Sequence, residues 1–333
     1  MVATHKAARL MVKSYNICAF EDFLERQRER LPSLANVQQL SPRVLRVLGQ
    51  NPGKFTFQGT NTYIVGTGRE RLIIDTSVGE PAWAQLIAST LQHMGFSLSQ
   101  VLLTHWHGDH TGGVPDLVRM YPHVKEAVYK NDPDKGQLNI CDGQVFSVEG
   151  ATVRALHVPG HAEDHMCFLL DEEQAMFTGD NILGHGSSVV YDLGTFTNSL
   201  RRMHAQRCVI GYPAHGDVIA NLPAKIAGEL AIKLRRERQV LQALQQRDKS
   251  SSMTVRSVVN AIYSEQLDEE LRTMALEPFV HEVLRKLAGD GKVAFAMRGG
   301  VQRWYAVQAA QWTEGREHVV EAASMRTGLV VEA

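Results

Sequence analysis

The feature that most constrains this chain is a run of ligand-type side chains over Thr104 to His110 (THWHGDH), directly after a short apolar stretch at Val101 to Leu103. The apolar stretch predicts a buried strand, and ligand sites in α/β layers favour the loop at the carboxyl end of a strand. Imidazoles two residues apart can reach one metal ion, while Asp109 and His110 can reach a second ion nearby. Histidine occurs 14 times in 333 residues, so H-x-H-x-D-H would arise by chance in about one such chain in a thousand.

Three later motifs each place one ligand-type side chain beside glycine or proline at the end of a predicted strand. They are Pro159-Gly160-His161, Thr178-Gly179-Asp180 and Tyr212 to Gly216 (YPAHG), which contains His215. Taken singly, a histidine or a Gly-Asp pair at a strand end is most often structural. In this order after the first motif, however, the three predict a site that binds two metal ions.

The composition limits the class of protein. With 44% hydrophobic residues, the chain can bury one large core and a smaller one. Its apolar stretches are strand-length and interrupted by charge, so we expect neither a membrane span nor a signal peptide. A net charge of −1 provides no general field that attracts nucleic acid. Four widely spaced cysteines form no C-x-x-C pair and are interpreted as reduced thiols in the cytoplasm: Cys18, Cys141, Cys167 and Cys208.

The predicted elements change in character along the chain. Short β-rich runs begin at Val44, α/β alternation follows from Pro81, and a second β-rich half runs from about Val145 to Gly211. A long charged helix over Pro223 to Arg247 ends in the serine-rich segment 248–252, and a helix, a helix and a hairpin follow, as in a winged helix. We therefore expect an N-terminal extension (1–38) with one helix over Phe20 to Leu31, a main domain (39–225), a connecting helix and linker (226–252), a winged-helix-like domain (253–310) and a tail (311–333).

This series of motifs resembles the five-motif signature of the metallo-β-lactamase superfamily. The resemblance implies an α/β fold, the αββα sandwich of that superfamily, for the main domain, with the small winged-helix domain at its C-terminal side. It implies seven metal ligands: His105, His107 and His161 for one ion, Asp109, His110 and His215 for the other, and Asp180 shared by both. Asp75 matches the family carboxylate that orients a ligand imidazole. Ser77 departs from the pattern, since many relatives have glycine there.

Longer segments narrow the resemblance to the β-lactamase-like protein 2 group, over nearly the whole stretch from Leu40 to Val307. The matching segments are Gly49 to Gly68, Thr104 to Gly113, His161 to Met166 and the winged-helix segment. Within this group, Asp180 to Gly186 (DNILGHG) and Gly211 to Gly216 (GYPAHG) are most similar to fungal thioesterases that release aromatic polyketides from synthases lacking a releasing domain. Animal members of the group are similar to single-strand endoribonucleases instead.

The resemblance also implies the chemistry of the site. Two divalent cations would activate water for attack on an acyl or phosphoryl group; zinc suits the ligands, and manganese or iron would also be admitted. The family pattern gives Asp109 the further role of orienting that water or taking its proton. Of two extra imidazoles, we interpret His165 as a packing residue and His185, on a glycine-flanked loop, as a candidate for protonating the leaving group or contacting substrate. Trp106 is interpreted as a packing or pocket-wall residue.

Several functions remain open at this point. We favour hydrolysis of an aromatic polyketide thioester on the acyl-carrier domain of a non-reducing polyketide synthase, which releases the free acid. The alternatives are an endoribonuclease, a hydrolase of small glutathione-type thioesters, and a nucleic-acid-binding module with a vestigial site, which the complete ligand set disfavours. The presumptive recognition helix offers only three cationic side chains, those of His281, Arg285 and Lys286. We therefore interpret the winged-helix domain as a scaffold or homodimer surface rather than as a domain that binds nucleic acid.

Overall fold

The computed structural model describes residues 31–53, 55–246, 252–263, 269 and 272–307. The helix expected over Phe20 to Leu31, the serine-rich segment 248–252 and the tail 311–333 lie outside these residues, except for Leu31 and Ser252. The chain divides into two compact units after Leu234. No helix among the described residues is long and apolar enough to cross a membrane.

Helices of the first unit flank its sheets. In chain order they are α1 (Pro81–Met94), α2 (Gly108–Thr111), α3 (Val114–Met120), α4 (Leu193–Ala205) and the first part of α5 (Leu222–Gln245), with 3₁₀ turns at Pro122–Ala127 and Asp171–Glu173. The part of α5 after Leu234 belongs to the second unit. The α1 helix begins at Pro81, where the sequence predicts that α/β alternation starts, because proline is compatible with the first turn. It ends at Met94 because Gly95, at φ +70°, provides the left-handed residue that terminates it. Its buried face includes Trp83, Ile87 and Leu91, one turn apart.

The first sheet pairs seven strands in chain order. They are β1 (Val37–Gln39), β2 (Val44–Leu48), β3 (Asn61–Val65), β4 (Glu70–Ile74), β5 (Ser97–Leu102), β6 (Val128–Lys130) and β7 (Leu138–Asn139). Pairing is antiparallel from β1 to β4 and parallel from β4 to β7. Parallel neighbours need a crossover connection, which α1 supplies between β4 and β5. The carboxyl ends of β4 and β5 therefore lie side by side.

The second sheet contains five strands. They are β8 (Val145–Val148), β9 (Ala151–His157), β10 (Met166–Leu170), β11 (Ala175–Gly179) and β12 (Ile210–Pro213), in the spatial order β12-β11-β10-β9-β8. All neighbours are antiparallel except β11 and β12, which are parallel and joined by a crossover through α4. This parallel pair brings the loops after Gly179 and Pro213 to one edge of the sheet.

Three hydrophobic clusters hold the layers together. The central cluster lies between the sheets and includes Tyr63, Phe168 and Phe177. A second cluster packs α1 and α3 on the outer face of the first sheet, and a third packs α4 and the start of α5 on the second sheet. Burial of both faces of both sheets confirms the predicted αββα sandwich.

The main difference from the predicted elements is α4, which lies where the sequence indicated a β-rich half. Gly194, Thr195 and Thr197 are weak helix formers, so propensity conceals this helix. Asp192 begins it, since its Oδ1 accepts a hydrogen bond from the Thr195 N–H at 2.6 Å. A second correction concerns β12: the β-rich half was expected to end at about Gly211, whereas this strand runs from Ile210 to Pro213.

The second unit contains the expected helix, helix and hairpin. After the end of α5 come α6 (Val255–Tyr263), a π-helical turn (Arg272–Leu276), α7 (Glu277–Gly289), β13 (Val293–Arg298) and β14 (Val301–Ala306). Gly299 and Gly300, both with positive φ, form the hairpin turn. Trp304 is buried and its ring contacts those of Phe295 and His281.

Candidate metal centre

The structure brings all seven predicted ligand residues together at strand ends. The His105 to His110 block follows β5, while His161 follows β9, Asp180 follows β11 and His215 follows β12. They form two groups able to hold a metal ion, and within each group the candidate ligand atoms lie within 4.8 Å of one another. The groups share one residue, Asp180. Hence the loops of two different sheets meet at one edge of the sandwich.

The first group is made of three imidazoles and a carboxylate. His107 Nδ1 lies 2.8 Å from His105 Nε2 and 3.1 Å from His161 Nε2, so three ring nitrogens converge. Asp180 Oδ2 lies 3.4 Å from His161 Nε2. Three nitrogen lone pairs at this spacing repel one another unless a cation lies among them or protons are shared between them.

The second group has two carboxylates and two imidazoles. His215 Nε2 lies 3.2 Å from both Asp109 Oδ2 and Asp180 Oδ1, and His110 Nε2 lies 3.5 Å from the Oδ2 atoms of both carboxylates. Asp109 keeps 24% of its side chain exposed, whereas both histidines are buried. The group therefore opens to solvent on the side of Asp109.

Asp75 supports this second group through a contact with the His110 imidazole. Its Oδ2 lies 2.8 Å from His110 Nδ1, and its two oxygens accept hydrogen bonds from the backbone N–H and the hydroxyl of Thr104. Because a carboxylate accepts the Nδ1 proton, His110 turns the other nitrogen, Nε2, toward Asp109 and Asp180. Asp75 reaches this position with φ +60°, a left-handed conformation that costs energy in a non-glycine residue.

Two supporting contacts were not predicted from the sequence. His161 Nδ1 donates a hydrogen bond to the Val189 carbonyl at 2.8 Å and lies 3.1 Å from Ser188 Oγ. His165 Nε2 accepts the backbone N–H of Asp180 at 3.0 Å. Neither relation has a local sequence signal, because each joins loops that are distant along the chain.

The electrostatics of the two groups differ. Burial lowers the pKa of His105 well below its usual value, and the nearby His110 adds to this effect. Burial likewise lowers the pKa of His107 to about 4. Without a bound cation, these imidazoles therefore stay neutral at pH 7, which is the form that coordinates metal ions.

In the second group, imidazolium and carboxylate stabilise one another. Burial alone would lower the pKa of His215, but Asp180 and Asp109 outweigh it and raise that pKa to about 9. The same two carboxylates raise the pKa of His110 well above its usual value, against the effect of burial. Burial would raise the pKa of both carboxyl groups, yet the two histidines lower both pKa values.

The donor set fits divalent cations. Nitrogen and oxygen donors in two groups of four suit zinc, and neighbouring groups that share a carboxylate suit a two-metal site. Among the described residues, His110 Nε2 and Asp180 Oδ1 are buried and make no hydrogen bond of good geometry, although oppositely charged groups lie 3.2–3.5 Å away. Such orphaned polar atoms are costly unless a ligand satisfies them.

Two other predicted residues, His185 and Trp106, and a third residue, Asn61, lie near the centre but outside both groups. His185 is partly exposed and its ring lies against Gly216, since a Cβ there would come within 2.8 Å of His185 Cδ2. Trp106 is 37% exposed, and its ring lies 4.4 Å from that of His107. Asn61, a buried residue, donates to the carbonyls of Pro213 and Gly216 at 2.8 Å and so holds the loop around His215.

Comparison with known proteins agrees with this geometry. A sequence model of the metallo-β-lactamase superfamily matches residues 55–206. The structure also resembles a β-lactamase domain protein from Burkholderia ambifaria, with a TM-score of 0.67, 17% identity, and coverage of 84% of this chain and 96% of that chain. A metallo-β-lactamase family protein from Thermus thermophilus gives a TM-score of 0.58 at 20% identity, covering 81% and 100%. These structural similarities concern the fold alone.

Relatives of known name are much more similar in sequence. An atrochrysone carboxyl ACP thioesterase from Claviceps purpurea is 66% identical over 304 residues, which cover 90% of this chain and 97% of the relative. A protein of the same name from Emericella nidulans is 62% identical, with coverage of 89% and 94%. A lactamase-like protein from an Aspergillus species is 60% identical, with coverage of 90% and 98%.

These findings confirm the resemblance stated from the motifs and identify a metal-dependent hydrolase. The chain belongs to the metallo-β-lactamase superfamily and, within it, to the family that includes the fungal proteins named atrochrysone carboxyl ACP thioesterases.

Proposed function

We propose that this protein hydrolyses the thioester joining an aromatic polyketide to an acyl-carrier domain and releases the free acid. The observation that carries the proposal is the identity of 60–66% to proteins named ACP thioesterases, over about nine-tenths of this chain. Function depends on the site rather than the fold. The residues that the motifs predict as ligands are all present and grouped in this chain.

The proposal assigns seven residues as metal ligands. His105, His107 and His161 would hold one ion, Asp109, His110 and His215 would hold the other, and Asp180 would contact both. When bound, two divalent cations polarise the acyl oxygen and lower the pKa of water. We propose zinc because nitrogen donors predominate, although manganese also accepts such ligands.

Asp109 is proposed to act directly on the attacking water. It is the more exposed of the two carboxylates in the second group, and its depressed pKa keeps it ionised at neutral pH despite partial burial. An ionised carboxylate at the open side of the centre can orient water by accepting a hydrogen bond from it, and it could take the proton of water whose own pKa bound cations would lower. The buried Asp180 lacks this access.

His185 is proposed to contact the substrate. Burial lowers its pKa, so its ring is neutral at pH 7 and able both to donate and to accept a hydrogen bond. A thiolate leaves readily because thiols have a pKa near 8.5, so the reaction needs no strong general acid. Trp106 and Tyr191, 37% and 42% exposed beside His107, are proposed to flank the aromatic acyl group.

The second unit is proposed to be a winged-helix scaffold rather than a reader of nucleic acid. The cationic side chains of its presumptive recognition helix already contact other side chains of the protein. His281 packs on Trp304, Arg285 pairs with Glu282, and Lys286 pairs with Glu237. Exposed apolar side chains on its hairpin support homodimerisation as part of the proposal: Met297 and Val301. We also propose a cytoplasmic location, which the exposed free thiol of Cys141 supports.

A small thioester tests this function. The zinc-reconstituted protein is offered a naphthoyl thioester of N-acetylcysteamine, and the released thiol is followed by a colorimetric reagent, while elemental analysis counts the metal. We expect close to two ions per chain and thiol release that disappears after chelation and returns with zinc. Thiol release that persists after complete metal removal, or one ion or fewer in the active protein, would contradict the proposed two-metal chemistry.

A further inference from the structure

One loop of the first unit contacts several of the proposed ligands. We call residues 181–191 the ligand loop. It begins directly after Asp180; the Gly184 N–H donates to the His215 carbonyl at 2.9 Å, and the Val189 carbonyl accepts from His161 Nδ1 at 2.8 Å. The placement of this loop therefore affects ligands of both groups.

The contact to His161 determines which ring nitrogen faces the centre. A carbonyl oxygen can only accept a hydrogen bond, so Nδ1 of His161 carries the proton and Nε2 keeps its lone pair. That Nε2 lies 3.1 Å from His107 Nδ1 and 3.4 Å from Asp180 Oδ2, inside the first group. Displacement of Val189 would free the imidazole to rotate or to change tautomer.

The ligand loop has little regular structure to hold Val189 in place. None of residues 181–191 belongs to a helix or strand, and Gly186 adopts a positive φ. Ser187 is exposed, and Val189 is 52% exposed. A segment of this kind keeps a fixed position only where hydrogen bonds tie it to a rigid element.

Such ties come from Glu229 and Lys225, on successive turns of α5. Glu229 is 6% exposed, and its oxygens lie 3.2 and 3.3 Å from Ser187 Oγ, which donates to them. Lys225 Nζ lies 3.6 Å from the Glu229 carboxylate and donates to the Gly186 carbonyl at 3.1 Å. Lys233 Nζ donates to the same carboxylate at 3.0 Å.

The carboxylate of Glu229 thus makes its contacts between helix α5 and the ligand loop. A buried carboxylate is costly to desolvate unless cations and hydrogen-bond donors surround it. Here two ammonium groups and a hydroxyl do so. In the sequence, Lys225, Glu229 and Lys233 form an i, i+4 pattern typical of a solvated helix face, so the pattern alone does not distinguish this anchor.

We propose that Glu229 is a positioning residue of the metal centre. It anchors Ser187, and through the adjacent Ser188 and Val189 it keeps the His161 imidazole in the orientation that binds metal. Glu229 lies beyond the residues that match the superfamily model, 55–206. The proposal rests on the ligand assignment made under the proposed function.

The chain offers a matched control for Glu229. Glu237 lies on the same helix, is 4% exposed and pairs with Lys286 Nζ at 2.7 Å. Replacing either glutamate with alanine removes a buried, lysine-paired carboxylate, so a purely structural role predicts the same consequences for both. Of these two glutamates, only Glu229 has a hydrogen-bonded connection to the ligand loop in the described contacts.

The experiment measures metal affinity rather than turnover. Zinc is competed from wild type, Glu229→Ala and Glu237→Ala with a chromophoric chelator, and thermal unfolding is recorded in parallel. We expect both variants to unfold at lower temperature, but only Glu229→Ala to bind one of its two ions about tenfold more weakly. Glu229→Gln should lose less affinity, because an amide oxygen still accepts from Ser187.

Three results would overturn the inference. Unchanged affinity for both ions in Glu229→Ala, with wild type holding two, removes the positioning role and leaves the proposed function intact. Wild type that holds fewer than two ions contradicts the ligand assignment itself. If Glu229→Ala does not fold, Ser187→Ala deletes only the hydroxyl of an exposed residue. It should weaken binding of the same ion, and unchanged affinity there also overturns the inference.

Discussion

Two residues near the centre adopt left-handed backbone conformations without being glycine. Asp75 and Ser77 both have φ +60°. Asp75 needs its carboxylate to hold His110 and Thr104, so its backbone cost is offset by those hydrogen bonds. Ser77 is the one departure from the family motif that the resemblance implies, and its hydroxyl donates to the Gly49 carbonyl at 2.8 Å. The departure from the family motif therefore has a local compensation.

This compensation predicts different losses of stability for two substitutions at Ser77. Ser77→Ala keeps the backbone strain and loses the buried hydrogen bond, which should lower the free energy of unfolding by about 1–2 kcal/mol. Ser77→Gly loses the same bond but relieves strain of about 1 kcal/mol, so it should lie closer to wild type. Urea unfolding of the three proteins measures the order. An alanine variant as stable as the glycine variant would show that the conformation carries no strain.

A second prediction at this scale concerns Asp109. Asp109→Asn keeps the size of the side chain but removes its charge, so turnover should fall by about 10²-fold or more if the carboxylate takes the proton from water. Steady-state rates are compared at equal, measured zinc content, with circular dichroism as the check on folding. A variant that is folded, fully loaded and still as active as wild type would remove Asp109 from the chemistry.

At the scale of elements, helix α4 and the His161 motif pack against each other closely. Gly160 has φ +135°, and a Cβ on it would come within 2.5 Å of the Phe196 backbone in α4. A helix without a strong sequence signal thus sets the position of the loop that carries a proposed ligand. The glycine in Pro159-Gly160-His161 is required by this approach as well as by its φ.

Gly160→Ala should therefore lower stability and metal affinity together. The backbone conformation alone costs about 1–3 kcal/mol, and the contact with α4 adds to this because backbone atoms have little freedom to move. Gly143→Ala is the matched control, since Gly143 also has a positive φ but no atom within 4 Å of its added Cβ. Thermal unfolding and zinc titration are the measurements. Equal losses in both variants would mean that the approach of α4 to Gly160 is unimportant.

Sequence predicted those parts of the centre whose signal is local. The His105 to His110 block supplies four ligand-type residues from one turn, and the later motifs carry their own glycine or proline. The supports of the centre have no such signal: His161 and Val189 are 28 residues apart, and Ser187 and Glu229 are 42 apart. Helix α4 was not predicted for a different reason: its apolar stripe is a local signal, but weak helix formers lie between the stripe residues Leu193, Phe196, Leu200 and Met203.

At the scale of the whole molecule, the net charge bears on whether the substrate is RNA or a carrier-bound thioester. The net charge of −1 offers little attraction to a phosphate backbone, and nuclease binding that depends on many phosphate contacts weakens steeply with salt. A thioesterase depends instead on an apolar wall and on contact with the carrier protein. The exposed aromatic rings of Trp106 and Tyr191 beside the proposed ligands favour the second description.

The most direct test offers both substrates to the same zinc-loaded protein. One is an aromatic polyketide synthase whose loaded carrier domain cannot release its product, and the other is a single-stranded RNA of matched concentration. Mass spectrometry follows the free acid, gel analysis follows the RNA, and Asp109→Asn serves as the control in both. We expect the acid to be released by wild type but not by Asp109→Asn, with at most slow, salt-suppressed RNA cleavage. Efficient RNA cleavage without release of the acid would contradict the account.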